Sequence, residues 1–150
     1  MKNMLLLGAA LLAIALSPAC NKDDQDEKDR QAILQYLADH NLSATEHSSG
    51  IYYIIDTPGS GGSPSSTAEV TVRYKGYYLD DIVFDQTQGS ETVKFNLGQL
   101  IEGWQIAIPL LQKGGKGFFL IPSGLAYGPN PPFGVRENAP MAFEIELVDF

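Results

Sequence analysis

The sequence predicts an α+β fold: an antiparallel sheet with one short helix on a face, preceded by a separate N-terminal helix. Three observations carry this. Two segments alternate apolar and polar residues with the period of a half-buried strand, "EVTVRYK" from Glu69 and "MAFEIELVDF" from Met141. Only one stretch of the main body, Ile101 to Leu111, has the apolar content of a helix. It is short, starts beside Gly103 and stops at "KGGKG". The remaining strand candidates are separated by turn-rich loops rather than by long helical crossovers. At 150 residues the chain suits one domain with extensions.

Taken in order, "MKNMLLLGAALLAIALSPAC" has a lysine, an apolar run from Met4 to Leu16 and small residues before Cys20. That is the pattern of a secretory signal peptide, with an apolar run short for a membrane-spanning helix. Its end, "LSPAC", resembles the lipobox of bacterial lipoproteins, with Leu16 four places before Cys20 rather than three. The resemblance implies lipidation of Cys20 and membrane attachment through that lipid. "NKDDQDEKDR" reads as an acidic, solvated tether. Its "KDDQDE" resembles the Lys-Asp-Asp export signal of surface lipoproteins in Bacteroidetes, which leaves the periplasmic and surface leaflets both open. "DEKDRQAILQYLADHNLSA" reads as an amphipathic helix whose stripe of Ile33, Leu34 and Leu37 must pack on the domain or on a second copy. The expected division is a signal peptide over 1–19, a tether over 20–30, a helix and linker over 31–50, and the main domain over 51–150.

Within that domain, Ile51 to Asp56 is a strand candidate by β-branched and aromatic content, and Pro58 to Ser66 is a loop. Val70, Val72 and Tyr74 alternate with Thr71, Arg73 and Lys75, so one face is expected to be buried. "TVKFNLG" is a further short strand, and "KGFFLIPS" is a fuller apolar run ended by Pro122. On the last strand Phe143, Ile145 and Leu147 point one way, Glu144 and Glu146 the other.

Composition narrows the function. The formal net charge of -8 repels phosphate backbones, which argues against nucleic acid as a partner. The single cysteine forbids an internal disulfide. His40 and His47 lie in polar sequence and read as solvated residues, and no cluster has metal-ligand spacing, so neither metal nor cofactor is expected. There is no Ser-His-Asp pattern and no phosphate loop. "KGGKG" reads as a tight turn rather than an anion site. What remains is a set of aromatic residues at element ends: Tyr74, Phe84, Phe95, Trp104, Tyr127 and Phe143. Trp104 is the only tryptophan, and its place at the start of so short a helix asks for a reason.

The order of "YKG", "FD", "F-x-LG", "I-x-GW", "KGG" and "AYG" between Val70 and Phe150 resembles the FK506-binding-protein family of peptidyl-prolyl cis-trans isomerases. The resemblance implies a twisted antiparallel sheet wrapped around the short helix, with 51–150 as the isomerase domain and Trp104 as the floor of the pocket. It carries Tyr74, Phe84, Asp85, Ile101, Trp104, Tyr127 and Phe143 onto the catalytic pocket. Leu100, Val93 and Val135 fall on its substrate-binding rim. The Ile101 N–H and the Tyr127 hydroxyl would each bind a carbonyl of the prolyl segment. Asp85 would hold the pocket loop and bond Tyr74. Val93 stands where an aromatic often rims the family pocket. The "DQTQGSET" loop lacks an arginine for Asp85, for which Arg73 or Arg136 is the available substitute.

The expected function is therefore rotation of X–Pro bonds in exported, proline-containing polypeptides, by a monomeric lipoprotein of the bacterial cell envelope, at the outer membrane. FK506-like macrolides would compete for the pocket. The alternative is a chaperone-like module that binds proline-containing or unfolded segments with little isomerase activity. A third reading pairs two copies through the N-terminal stripe.

Overall fold

The computed structural model describes residues 22–150. The expected signal peptide and Cys20, the expected lipidation site, lie outside the described residues. The elements are α1 (Lys22–Asp39), β1 (Thr45–Glu46), β2 (Tyr52–Thr57), β3 (Glu69–Tyr78), β4 (Val83–Gln86), β5 (Val93–Asn96), α2 (Glu102–Ala107), β6 (Lys116–Ile121) and β7 (Met141–Asp149). Short 3₁₀ turns occupy Leu97–Gln99, Ile108–Leu110 and Ser123–Leu125. The seven strands form one sheet in the order β1-β2-β6-β7-β3-β4, and β5 pairs with β3 beside β4. Every pairing is antiparallel.

β3 is the spine. Ten residues long, it pairs with β7 along one edge, and on the other edge its first half pairs with β5 and its second half with β4. Val70 and Val72 are fully buried, as the alternation predicts, and so are Leu147 and, nearly, Ile145 and Phe143 on β7. They face α2, from which Trp104 and Ala107 enter the same core, joined by Ile108 and Leu111 just beyond it. Gly103 allows this close fit. A Cβ there would sit 2.4 Å from Ile121 Cγ2 on β6, far inside van der Waals contact.

The second face of the sheet is where the structure departs from the sequence reading. One-sided burial was expected for β3, yet Gly76, Tyr77 and Tyr78 are all buried. The reason is α1, whose Ile33, Tyr36 and Leu37 pack on Tyr52, Tyr77, Phe118, Leu120 and Ala142 to form a second core. Burying an aliphatic or aromatic side chain of this size stabilises a fold by about 1.5–3 kcal/mol relative to exposure. The stripe is thus covered by the chain's own sheet, with Leu34 at its margin.

The segment 22–30 also needs correction. It was expected to be a solvated tether, but α1 starts at Lys22. Asp23 and Asp24 lie in the first turn, where the helix dipole favours acids. Side-chain bonds at i,i+4 spacing run along the helix from Gln25 to Asp29, from Gln31 to Glu27 and from Gln35 to Asp39. Asp29 is buried against the domain. No described helix is long and apolar enough to cross a membrane.

Candidate active site

The two halves of the site come from the open end of the sheet and from the segment between β5 and α2. Asn96 caps the 3₁₀ turn after β5 by accepting from Gly98 N at 3.0 Å. That turn delivers Leu100 and Ile101 to the start of α2. Ile101 is the N-cap of the helix, extended at ψ 146, and its carbonyl accepts from Trp104 N at 3.0 Å. Its own N–H is one of the donors that a helix start leaves without an intrahelical acceptor. One turn on, Trp104 points into the concave face with 4% of its surface exposed.

Around Trp104 the rings stand edge to face, the arrangement the aromatic quadrupole favours. Tyr74 lies 5.1 Å away at 84°, Phe143 5.4 Å at 86° and Phe95 6.0 Å at 80°. Phe84 closes the far side, 5.7 Å from Phe143 and 5.0 Å from Tyr78. Gly76 makes room for this wall: a Cβ there would meet Phe84 Cζ at 2.7 Å and Phe143 Cε1 at 2.8 Å. The cavity, open at its mouth, measures about 180 Å³ and is lined by Tyr74, Phe84, Asp85, Phe95, Leu100, Ile101, Trp104, Tyr127 and Phe143. Sites for whole drug-sized ligands run to about 300–1,000 Å³, so this one takes a single small ring. Trp104 Nε1 is buried in its wall without an acceptor among the described residues.

Polar groups are few. Tyr74 Oη donates to Asp85 Oδ2 at 2.5 Å. Burial, then this bond and the carboxylate's charge, push the Tyr74 hydroxyl far above the usual tyrosine range. Burial and, next, the charge of Asp85 raise Tyr127 as well. Both hydroxyls are therefore proton donors at neutral pH. Tyr127 sits at the mouth, 37% exposed.

Eight of the ten pocket and rim residues expected from the sequence meet at this cavity. Val93 and Val135 do not line it; both are half-buried and pack against the main core instead. Phe95, noted in the sequence only as an aromatic, takes the place given to Val93. The two share a face of β5, two residues apart, and it is the Phe95 ring that stands against Trp104. Neither arginine offered for Asp85 goes there. Arg73 pairs with Glu146 at 2.9 Å, and Arg136 pairs with Asp80 at 2.8 Å while lying over the Tyr78 ring. "KGGKG" is a turn, with Gly114 at φ +78 and Gly115 N bonded to Gln112 O. His40 stacks on Tyr36 at the end of α1. Among the described residues no group of three or more His, Cys, Asp or Glu could hold a metal.

A larger, open groove of about 640 Å³ lies on the α1 side of the sheet. Ion pairs cross it, Arg73 and Lys116 both to Glu146. Its aromatics Tyr36, Tyr77 and Phe118 stack nearly parallel in the second core under α1. The smaller cavity instead has rings standing edge to face around Trp104 beside the Tyr74–Asp85 pair, so we place the chemistry there.

Comparison with known proteins identifies the family. A family model described as FKBP-type peptidyl-prolyl cis-trans isomerase matches residues 61–148. A probable FKBP-type peptidyl-prolyl cis-trans isomerase FkpA of Neisseria meningitidis serogroup B is 39% identical over 126 residues, covering 81% of this chain and 45% of that protein. The outer membrane protein MIP of Legionella longbeachae is 35% identical over 102 residues, covering 67% and 44%. The crystal structure of FkpA from Escherichia coli superposes with a TM-score of 0.73 at 28% identity, covering 85% of this chain and 61% of that one. The chain thus spans a little under half the length of these two curated relatives. With its matched segment, its sheet wrapped around α2 and its Trp104 cavity, the chain belongs to the FKBP-type peptidyl-prolyl cis-trans isomerase family.

Proposed function

We propose that this chain accelerates cis-trans rotation of X–Pro bonds in exported polypeptides. The observation that carries the reading is the aromatic cavity of about 180 Å³, closed below by Trp104 and edged by two tyrosine hydroxyls. In this reading the prolyl ring sits on the Trp104 indole between Phe143 and Phe95. The Ile101 N–H and the Tyr127 hydroxyl bind carbonyls on either side, while Asp85 fixes Tyr74. Phe84 and Leu100 complete the walls.

The reaction breaks no σ-bond. Its barrier of roughly 18–20 kcal/mol comes from amide resonance, and uncatalysed turnover takes tens to hundreds of seconds. Water bonded to the amide oxygen strengthens that resonance, and an apolar cavity removes the water. A cavity that also fits the twisted imide better than either planar isomer binds the transition state differentially. An acceleration of about 10⁵ corresponds to about 7 kcal/mol, a scale that shape, desolvation and two or three hydrogen bonds can supply without acid-base or metal chemistry.

The signal-peptide pattern and Cys20 support attachment to the cell envelope through lipid, and a relative named an outer membrane protein supports the same compartment. Coverage of the α1 stripe by the chain's own sheet supports a monomer. The test is a protease-coupled assay on a short X-Pro peptide, repeated with FK506. Acceleration that saturating FK506 abolishes supports the reading. Acceleration indifferent to FK506 removes the macrolide part, and none at all removes the enzyme. The chaperone reading draws on one further observation, the full exposure of Phe133 with Ile82 half exposed. Suppression of client aggregation that survives loss of isomerase activity and falls on Phe133→Ser would favour it.

A further inference from the structure

The part of α1 that sequence alone presents as a tether reaches the loop that carries Tyr127. Asp29, 1% exposed, accepts from Ser123 N at 2.7 Å and from Ser123 Oγ at 2.5 Å through Oδ2. Its Oδ1 accepts from Gln25 Nε2 at 2.7 Å, and the same amide nitrogen lies 3.4 Å from Asn138 O. Ser123 opens the 3₁₀ turn after β6, and Asp29 serves this turn as a cap supplied from 94 residues away in sequence. The Ser123 carbonyl then accepts from Ala126 N at 3.0 Å and Gly128 N at 2.9 Å, the residues on either side of Tyr127. Gly128 O in turn accepts from Asn138 N at 2.8 Å, which ties the loop's far end to the same place.

We infer that Asp29 is a positioning residue for the Tyr127 hydroxyl, with α1 acting as a brace on the wall of the cavity. A buried carboxylate with three donors on it sets the height and angle of Ser123. Ser123 fixes the backbone on both sides of Tyr127. Tyr127 stands at the mouth, 37% exposed where Trp104 and Phe143 are 4% and 3%, so its placement leans more on this backbone than theirs does. The inference rests on the isomerase reading for its effect on rate, but not for its effect on structure.

The test uses the full chain and its Asp29→Ala, Asp29→Asn and Ser123→Ala variants, each shown to be folded by its unfolding transition. Amide hydrogen exchange is read first. Asp29→Ala should quicken exchange at Ala126 and Gly128 by about tenfold or more, while amides of β6 and β7 keep their protection. Isomerase kcat/KM is read next, in a cycle with Tyr127→Phe. Asp29→Ala should lower it about threefold to tenfold in the parent, Asp29→Asn less. In the Tyr127→Phe background the further loss should be under about twofold, because the hydroxyl being positioned is gone. A merely stabilising role predicts instead equal losses in both backgrounds, and that result would overturn the inference. So would unchanged exchange at Ala126 and Gly128. If Asp29→Ala does not fold, Ser123→Ala, which keeps the backbone bond, carries the same comparison with a smaller effect. An inactive parent that still shows the exchange effect removes the isomerase reading and leaves the brace standing.

Discussion

Replacing Gly103 by alanine sets two effects of opposite sign against each other. Taken alone, glycine to alanine inside a helix is favourable by roughly 0.5–1 kcal/mol, because alanine loses less backbone entropy on folding. Against this, the new Cβ would lie 2.4 Å from Ile121 Cγ2, 2.8 Å from Ile121 Cδ1 and 3.1 Å from Leu125 O. Carbon atoms in contact rest at about 3.5–4.0 Å, so at the closest contact α2 and β6 must part by more than an ångström. Ile121 is fully buried and cannot swing away. Overpacking of this kind costs about 1–3 kcal/mol and occasionally more, so the clash wins and Gly103→Ala destabilises. Denaturant unfolding followed by the single tryptophan measures it, and Trp104, the next residue, should also report a changed environment in the folded state. Ile121→Ala removes the obstructing atoms. In that background, already weakened by its own cavity by about 2–5 kcal/mol, Gly103→Ala should cost close to nothing or stabilise slightly. A Gly103→Ala protein as stable as the parent, or more stable, would refute the close packing of α2 on β6 that sets the cavity floor.

Other outcomes follow from the same geometry. Ile33→Ala empties a fully buried position in the second core and should cost about 2–5 kcal/mol in a denaturant melt; a cost below half a kilocalorie, by the same scale, would mean α1 is loosely held. Tyr74→Phe removes the donor to Asp85 and should lower kcat/KM about threefold to tenfold, roughly 0.7–1.4 kcal/mol of transition-state stabilisation, with little change in stability. Burial raises the hydroxyl pKa of Tyr74, Tyr77 and Tyr127 above that of a free tyrosine. Their contribution is present below about pH 10, where unfolded tyrosines begin to ionise, and is lost as pH rises beyond it. Phenolate absorbance should accordingly develop at higher pH in the folded protein than in the chain unfolded by denaturant.

Much of the sheet was legible because alternation is local. Val70 and Val72 on β3 and Phe143, Ile145 and Leu147 on β7 are buried where period two places them. The cavity was legible through the motif order that resembles the family, not through element ends: Tyr74 and Phe143 lie within β3 and β7. Contacts between distant segments were not legible. Nothing near Asp29 in sequence announces Ser123, so an acidic run that is half of a docked helix looks like a solvated tether. The choice between Val93 and Phe95 depended on which side chain stands against Trp104, a matter of distance rather than of pattern. The burial of Tyr77 and Phe118 under α1 is likewise a contact between distant segments.

The most direct test of the central claim is the cis-trans exchange rate of a short X-Pro peptide, read by NMR in the presence of the full chain and of its Asp85→Ala variant. Exchange raised by orders of magnitude over the uncatalysed seconds-to-minutes process, and strongly reduced by the substitution, is what the Trp104 cavity predicts. A folded parent that binds the peptide and leaves its exchange rate unchanged would contradict the claim and make the cavity a binding site alone.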